Sequence, residues 1–533
     1  MKKLDIKQIN KKMSQLKGSR GTFESHWQEV ADFFIPNRAT ITTKKSAGQK
    51  DAFQLLDNIG VQSNELLAGA MHGLLTNTDS QWFEFTTGDL ATDNDDDARL
   101  FMQQSTRIIH NVLGNTNFHT ELHEVYLEMP SLGTSCMFVD EDDRDVVRFS
   151  TKPIEDYLLG EDKMGVVNQV YYTQMLTAGE IIEEYGDKDL PEKVIKCKDS
   201  DEKFKVVHAV YAETLADAKS TSKKFISHHF MPDENHELRT GKYHENPFIT
   251  PRFSKRVGEI YGRSPAMTAL PEMRVLNKMN QTLLVGMQKQ VDPPLQVEDD
   301  GVILPLVTRP GGINYRRPGA EPIQPLFTGT RIDIAYQALT ERRQRVRDAF
   351  YVDQLRLSQD MKYMTATEVM QRTEDTMRLL GPLVGRMNAE FLRPLINRVF
   401  RICMDRGILP APPAILQGKK LDVRYSSLIA KSQRVAEIQN VQRTVETLAP
   451  FFQLDPNIRD NFKGDAIVRI ISGVLGFPQE GLASAREVKA IRDGRMQQQQ
   501  QQMAMAQGQM ETQQTLDAVG VLAKAQKEVQ GGQ

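Results

Sequence analysis

The stretch QKQVDPPLQVEDDGVILPLVTRPGG, which starts at Gln288, constrains the fold more than any other. A helical pattern, AMTALPEMRVLNKMNQTLLVGMQKQ over 266–290, runs into it and stops at Pro293-Pro294. Proline has no amide hydrogen, and its ring clashes with the preceding turn, so a helix cannot cross that pair. The pattern returns as RIDIAYQALTERRQRVRDAF at 331–350. Residues 291–330 hold 7 of the chain's 24 prolines and 5 of its 35 glycines, too many for a helix. The β-prone runs VILPLV and GGINYRR predict a compact, hairpin-like module there. Two helices joined by a compact insert most simply form an αα-hairpin with the insert at its tip. In 331–349 the apolar residues Ile332, Ala335, Leu339, Val346 and Ala349 share one helical face. Arg342, Arg343, Arg345 and Arg347 occupy the other. Five arginines and three acids leave +2 on this helix.

The flanks read as helix first, then strand, then helix. Residues 4–35 form a helical stretch that ends at Pro36. LLDNIGVQSNELLAGAMHGLL is a second helical pattern, followed by the short aromatic strand QWFEF. The acidic run GDLATDNDDDA reads as a solvated loop before a helix. TSCMFVDEDDRDVVRFS, two apolar runs around an acidic turn, predicts a β-hairpin, and 165–260 is β-rich. His228-His229 reads as a pair in a loop. Thr365-Ala366-Thr367-Glu368 fits a capping box: the Thr365 hydroxyl takes the amide three residues on, and Glu368 reaches back. A helix therefore starts near Thr365, and 351–363 is a loop between helices. Pro382 and Pro394 inside the new helix predict kinks. APPA at 411–414 is a linker. The tail from Met496, with Gln497 to Gln502 unbroken, is low-complexity, either a frayed helix or unstructured.

Composition excludes several function classes. With 40% hydrophobic and 26% charged residues, the 533-residue chain is ordinary for a protein with a sizeable core. A formal net charge of −3 does not suit a protein that coats nucleic acid through bulk positive charge. No apolar run approaches the roughly 18 residues of a membrane helix. MKKLDIKQINKKM is basic but lacks the apolar core of a secretory signal. Cys136, Cys197 and Cys403 are scattered and odd in number, so neither a disulfide framework nor a zinc spacing is present. This implies a protein made and assembled in a reducing cytoplasm.

Catalytic patterns are equally sparse. CMFVDE, with Asp140-Glu141 after four apolar residues, looks like a Walker B strand, but the chain has no phosphate loop to go with it. His119 and His123 fall at i, i+4, yet the order is H-x-E-x-H and no third ligand is evident, so they read as a structural surface pair. Neither a nucleophile elbow nor a dinucleotide fingerprint appears. We expect no enzyme, no metal and no cofactor.

Several motifs recur in a recognisable order: HWQEVADFFIPNR, LGTSCMFVDED, IYGRSPAMTALPEMRVLN, the Pro-rich insert, MTATEVMQR and EVKAIRDGRMQQQQQQ. Together, along nearly the whole chain, they resemble the head-to-tail connector, or portal protein, of short-tailed bacteriophages. The resemblance implies an α+β, mostly helical portal fold, assembled as a dodecameric ring at one capsid vertex. It implies a wing over 1–265, a first stem helix over 266–290, a clip over 291–330 and a second stem helix over 331–350. A channel loop over 351–363 follows, then a long kinked wing helix and linker over 364–424, a crown over 425–495 and a Gln-rich tail over 496–533. The implied partners are further copies of the chain, the major capsid protein and scaffold, the terminase packaging motor, tail adaptors, internal core proteins at the crown, and double-stranded DNA in the channel. No membrane is among them.

On that reading Arg356, Lys362 and Tyr363 of the neutral 351–363 loop face passing DNA. Arg316 and Arg317 belong to the docking surface of the clip. Thr365 and Glu368 fix where the loop ends. The stem arginines Arg342, Arg343, Arg345 and Arg347 pair in part with acids of a neighbouring subunit. The rival readings are a terminase-like ATPase or nuclease, which the missing phosphate loop disfavours, and another virion structural or scaffold-like protein.

Overall fold

The computed structural model describes residues 3–43, 55–78, 80–93, 95–197, 201–216, 224–296, 332–355, 380–419, 421–425, 464–475 and 487–503, with short stretches of 305–325 and single positions elsewhere. It divides into two compact units. One comprises Met1–Glu84, Thr106–Leu409 and Val423–Ile429. The other comprises Phe85–Ser105, Pro410–Asp422 and Ala430–Gln533.

The first unit begins with α1 (Ile6–Phe34) and α2 (Ile59–Leu75), followed by β1 (Phe83–Thr86), which runs into the second unit. The short α3 (Leu90–Asp93) and α4 (Asp96–Asn115) come next. The acidic run before α4 is partly structural. Asp95 Oδ1 accepts the Ala98 amide at 3.1 Å, and Asp93 accepts from Thr87. Carboxylates at a helix start satisfy amides that the helix itself cannot, and they suit its positive end.

After α5 (Phe118–Leu132) comes the hairpin expected from the sequence, β2 (Met137–Asp142) against β3 (Val146–Thr151), with β9 (Phe248–Ile249) on its other edge. The acids of the Walker-like strand face arginines. Asp140 lies 3.6 Å from Arg398, and Glu141 lies 3.9 Å from Arg406.

The β-rich region is one antiparallel sheet, in the order β4 (Tyr157–Glu161), β5 (Val167–Thr177), β6 (Lys203–Ala212), β7 (Phe225–Met231), β8 (His236–Tyr243). Both faces of β6 and β7 are covered. Ile6, Ile9 and Met13 of α1 pack on Tyr171, Val207, Tyr211, Ile226 and Phe230. Near the end of β5, α6 (Ala178–Tyr185) and α7 (Glu192–Lys196) cover Phe204, Val206 and Met231. The short α8 (Glu213–Ala216) follows β6.

This sheet corrects the loop expected at His228-His229: both lie in β7 and are buried. Each has one ring nitrogen met, His228 Nε2 lying 2.9 Å from Glu237 Oε2, while His228 Nδ1 and His229 Nε2 have no hydrogen-bond partner among the described residues. His208 Nε2 is 2.9 Å from Ser227 Oγ, Tyr185 Oη is 2.9 Å from His229 Nδ1, and the His208 and His229 rings stack at 3.8 Å. Burial depresses both imidazoles, His229 to about 3 and His208 well below its ordinary value.

Helix α9 (Pro265–Val291) starts at a site that its sequence specifies. Ser264 is the N-cap, accepting the Met267 amide at 3.1 Å, and Pro265 takes the first helical position, where no amide is needed. Ser264 Oγ also donates to Ser131 O at 2.6 Å, and Thr134 Oγ1 accepts the Gly262 amide at 2.7 Å. Here two backbones touch. A Cβ on Gly133, at φ +80°, would sit 2.5 Å from Gly262 O, and one on Gly262 would sit 2.1 Å from Gly133 O. Nearby, the buried Arg252 forks onto Glu390 with two 2.9 Å bonds and reaches Glu161 at 3.2 Å.

The chain then forms β10 (Leu295–Gln296) and β11 (Gln324–Pro325), which pair antiparallel, and continues into α10 (Ile332–Ala349) and the short α11 (Val352–Leu355). Tyr351, between the two helices, has φ +57°. Such a left-handed residue commonly ends a helix, although glycine is the usual occupant. Residues 380–387 form α12, and Arg393–Asp405 form α13. Between them lies a wider π-turn, Asn388–Leu392. Pro394 cannot donate to the turn before it, and this local break in the ladder is the disturbance that the sequence predicts there.

In the second unit, Ala414–Leu416 form a single tight turn and Gly464–Leu475 form a helix. Arg492 pairs with Asp465 at 2.6 Å. The glutamine run is helical and exposed within 487–503.

Candidate functional site

The helices α9 and α10 pack against each other. Glu272, in the second turn of α9, meets Arg342 (2.5 Å) and Arg345 (3.5 Å) of the later turns of α10. The strands that follow α9 and precede α10 are paired. The two helices are therefore antiparallel, and the Pro/Gly-rich segment leaves and returns at one end of them. Leu276, Leu283, Leu339 and Val346 are buried. Phe350 ends the arrangement with its ring on Phe34 at 5.4 Å.

The arginines of α10 find their partners inside the subunit. Arg342 donates to Glu272 and holds it below the usual carboxylate range, with burial opposing. Arg345 also pairs with Glu341 at 2.7 Å. Arg343 donates to Asp57 at 2.8 Å, and the same buried carboxylate accepts from Asn280 (3.0 Å) and the Ile59 amide (3.0 Å). On α9, Arg274 pairs with Glu29 of α1. Arg347 is half-buried, and its Nε has no hydrogen-bond partner among the described residues. Of these four arginines, some of which the sequence reading pairs with acids of a neighbouring subunit, three are thus paired within their own chain. Burying the opposed faces of α9 and α10 brings Glu272 and Asp57 within reach of them.

The apolar surface left over collects at the far end of this hairpin. Leu284, Val285 and Val291 of α9 are exposed, Val291 at 87%, and so are Ile334 and Tyr336 at the start of α10. The last turns of α9 line an open depression on the surface. In the insert, the Asn314 side chain closes a turn, accepting the Val307 amide (2.6 Å) and donating to Val307 O (3.0 Å). Arg317 is exposed. Arg316 lies outside the described residues, as do Arg356, Lys362, Tyr363, Thr365 and Glu368. Of the loop expected over 351–363, Val352–Leu355 is a helical turn, and its Asp353 meets Gln344.

Among the described residues no group of histidine, cysteine, aspartate or glutamate is placed to hold a metal. His119 meets the His72 ring edge at 5.5 Å. No described helix is long and apolar enough to cross a membrane.

The chain is 29% identical over 500 residues to the probable portal protein of Bordetella phage BPP-1, covering 91% of this chain and 90% of that one. It is 26% identical over 529 residues to the portal protein of Salmonella phage epsilon15, covering 96% and 95%. Among solved structures, the neck of an empty gene transfer agent particle is similar over 74% of this chain and 91% of that one, with 12% identity and a TM-score of 0.39. The family described as "Bacteriophage head to tail connecting protein" matches residues 6–482, so the helical hairpin, its insert and the five-stranded sheet all fall within the match, and the chain belongs to that family.

Proposed function

We propose that the chain is the subunit of a ring, set at the capsid vertex, through which double-stranded DNA is packaged and ejected. The observation that carries this reading is the apolar surface on α9 and α10: Leu284, Val285, Val291, Ile334 and Tyr336 are uncovered at one end of an otherwise well-packed hairpin. Exposed apolar residues grouped in this way mark an interaction surface. A surface that meets a different surface of an identical neighbour generates a ring when the rotation closes. The nearly whole-chain likeness to two phage portal proteins supports the same assignment.

On this reading residues 1–265 are the wing, α9 and α10 the stem, 291–330 the clip, 351–363 the channel loop, 364–424 the kinked wing helix and linker, 425–495 the crown and 496–533 the inward tail. The clip, with Arg316 and Arg317, docks the packaging motor and later the tail adaptor. Arg356, Lys362 and Tyr363 meet DNA in the channel, where cations on flexible stems in a neutral loop touch phosphates without holding them. Thr365 and Glu368 cap the helix after that loop. The major capsid protein and scaffold surround the wing, and internal core proteins meet the crown. The chain is a structural conduit, not an enzyme, and needs no cofactor.

Particle mass tests the ring. A 60.4 kDa subunit in twelve copies gives a closed particle of about 725 kDa, with a central hole in electron micrographs. A monomer or an open filament at micromolar concentration would refute the reading.

A further inference from the structure

The H-x-E-x-H pair of α5 does not stand alone. His72, in the last turn of α2, lies across from it, with its ring 5.5 Å from that of His119 and 6.1 Å from that of Tyr126. His119, His123 and Tyr126 follow one another at four and three residues, so they form one stripe of α5, and His72 sits over it. His72 and His119 are half-buried, and His123 is exposed. Among the described residues none of the three side chains makes a hydrogen bond or ion pair, and His119 Nδ1 is buried without a partner.

The charges that act on these rings are their own. Burial is the first cause that holds His72 and His119 below the ordinary imidazole range. A proton on His123 then opposes one on His72, and protons on His72 and His110 oppose one on His119. His110 comes from α4, where its Nε2 lies 3.3 Å from Ser80 O. No carboxylate offsets this at either ring. The nearby acids of α5 are engaged elsewhere: Glu121 accepts the Thr151 amide at 2.7 Å, and Glu124 and Glu128 hold Arg38. Glu65, the one acid of α2, is exposed and stands about two turns before His72. Arg107 of α4, also exposed, is of the same sign as a protonated imidazole. Burial keeps the Tyr126 phenol neutral. His119 lies in the first turn of α5, the positive end of that helix, where a cation is least favoured.

Helix α2 packs on α5 and on both helices of the hairpin. Just before its start, Asp57 accepts from Arg343 of α10 and Asn280 of α9, and at its other end His72 meets α5. We propose that His72, His119 and His123 form a proton-operated joint: when they take up protons, the last turns of α2 part from α5, while the Asp57 end stays on the hairpin. In the parted state each imidazole titrates near 6.5. Below that pH the parted state binds protons that the closed joint refuses, so closure is fully favoured above it and is lost as pH falls. Every residue of the joint belongs to one copy of the chain, so the joint works with or without assembly.

The test is amide hydrogen exchange on the full chain at about pH 7.5 and about pH 5.5, corrected for intrinsic rates. One pH unit below the titration of an exposed imidazole, each histidine that stays neutral in the closed joint favours opening about tenfold. Residues 67–75 should therefore lose protection about tenfold or more, relative to residues 59–64, on going to the lower pH. His123→Gln, a change at an exposed position, should reduce the loss, and His72→Asn/His119→Asn/His123→Asn should abolish it. His229→Asn, in the sheet, should leave it as it is. Equal protection at the two pH values would overturn the proposal, and so would an undiminished loss in either variant of the joint. Protection of residues 67–75 that rises with zinc at the higher pH and is reversed by a chelator would also overturn it, and would assign the three imidazoles to a metal.

Discussion

At the scale of residues, the sheet interior couples stability to pH. His208 and His229 stack with ring centroids 3.8 Å apart, and neither can take a proton without placing charge in a covered sheet. Burial is the first cause of depression for both. Arg239 adds to it for His229, and His229 adds to it for His208. In the unfolded chain an imidazole titrates near 6.5. Between that value and about 3, the unfolded state binds a proton that the folded state refuses, so stability falls as pH drops through this window. Above pH 6.5 the contribution is fully present. We expect His229→Asn to melt with a shallower dependence on pH between 6.5 and 4 than the unsubstituted protein. Parallel melting curves across that range would show that the pair does not carry the effect.

At the scale of elements, legibility followed local chemistry. The helix expected over 266–290 is α9 (Pro265–Val291), and Pro293-Pro294, which stops the pattern, follows its end. The β2–β3 hairpin shows as two apolar runs around an acidic turn. In contrast, within the β-rich region the loop placement of His228-His229 fails, because both faces of β7 are covered, so FISHHFM does not alternate and its histidines look like loop residues. The arginines of α10 could be found, but their partners could not. Arg343 meets Asp57 across 286 positions, and Arg252 meets Glu390 across 138, separations to which no periodicity points. The cap of α9 is a measurable element. Ser264→Ala removes the acceptor for the Met267 amide and should cost about 1–2 kcal/mol, the upper part of the range for caps, because the site is buried. Thermal or denaturant melts would show it, and a loss within about 0.3 kcal/mol would mean that the amide finds another partner.

At the scale of the whole molecule, surface and assembly are linked. The far end of the α9–α10 hairpin leaves apolar residues uncovered, while its base is tied by Glu272, Asp57 and three arginines. The base should therefore hold the subunit together, and the far end should hold subunits to one another. Replacing Leu284 and Tyr336 together by Glu puts charge only on exposed positions. The subunit should stay folded, and the particle mass should fall from the assembled value toward 60.4 kDa. Rings of undiminished mass would move the contact elsewhere on the chain.

The two-stranded ladder of Leu295–Gln296 with Gln324–Pro325 has a different sort of consequence. Paired strands lie about 4.8 Å apart, so the chain departs from the hairpin and rejoins it at nearly the same point. Whatever lies between is closed off like a handle on a vessel. Its length and content can change over generations while the vessel keeps its shape.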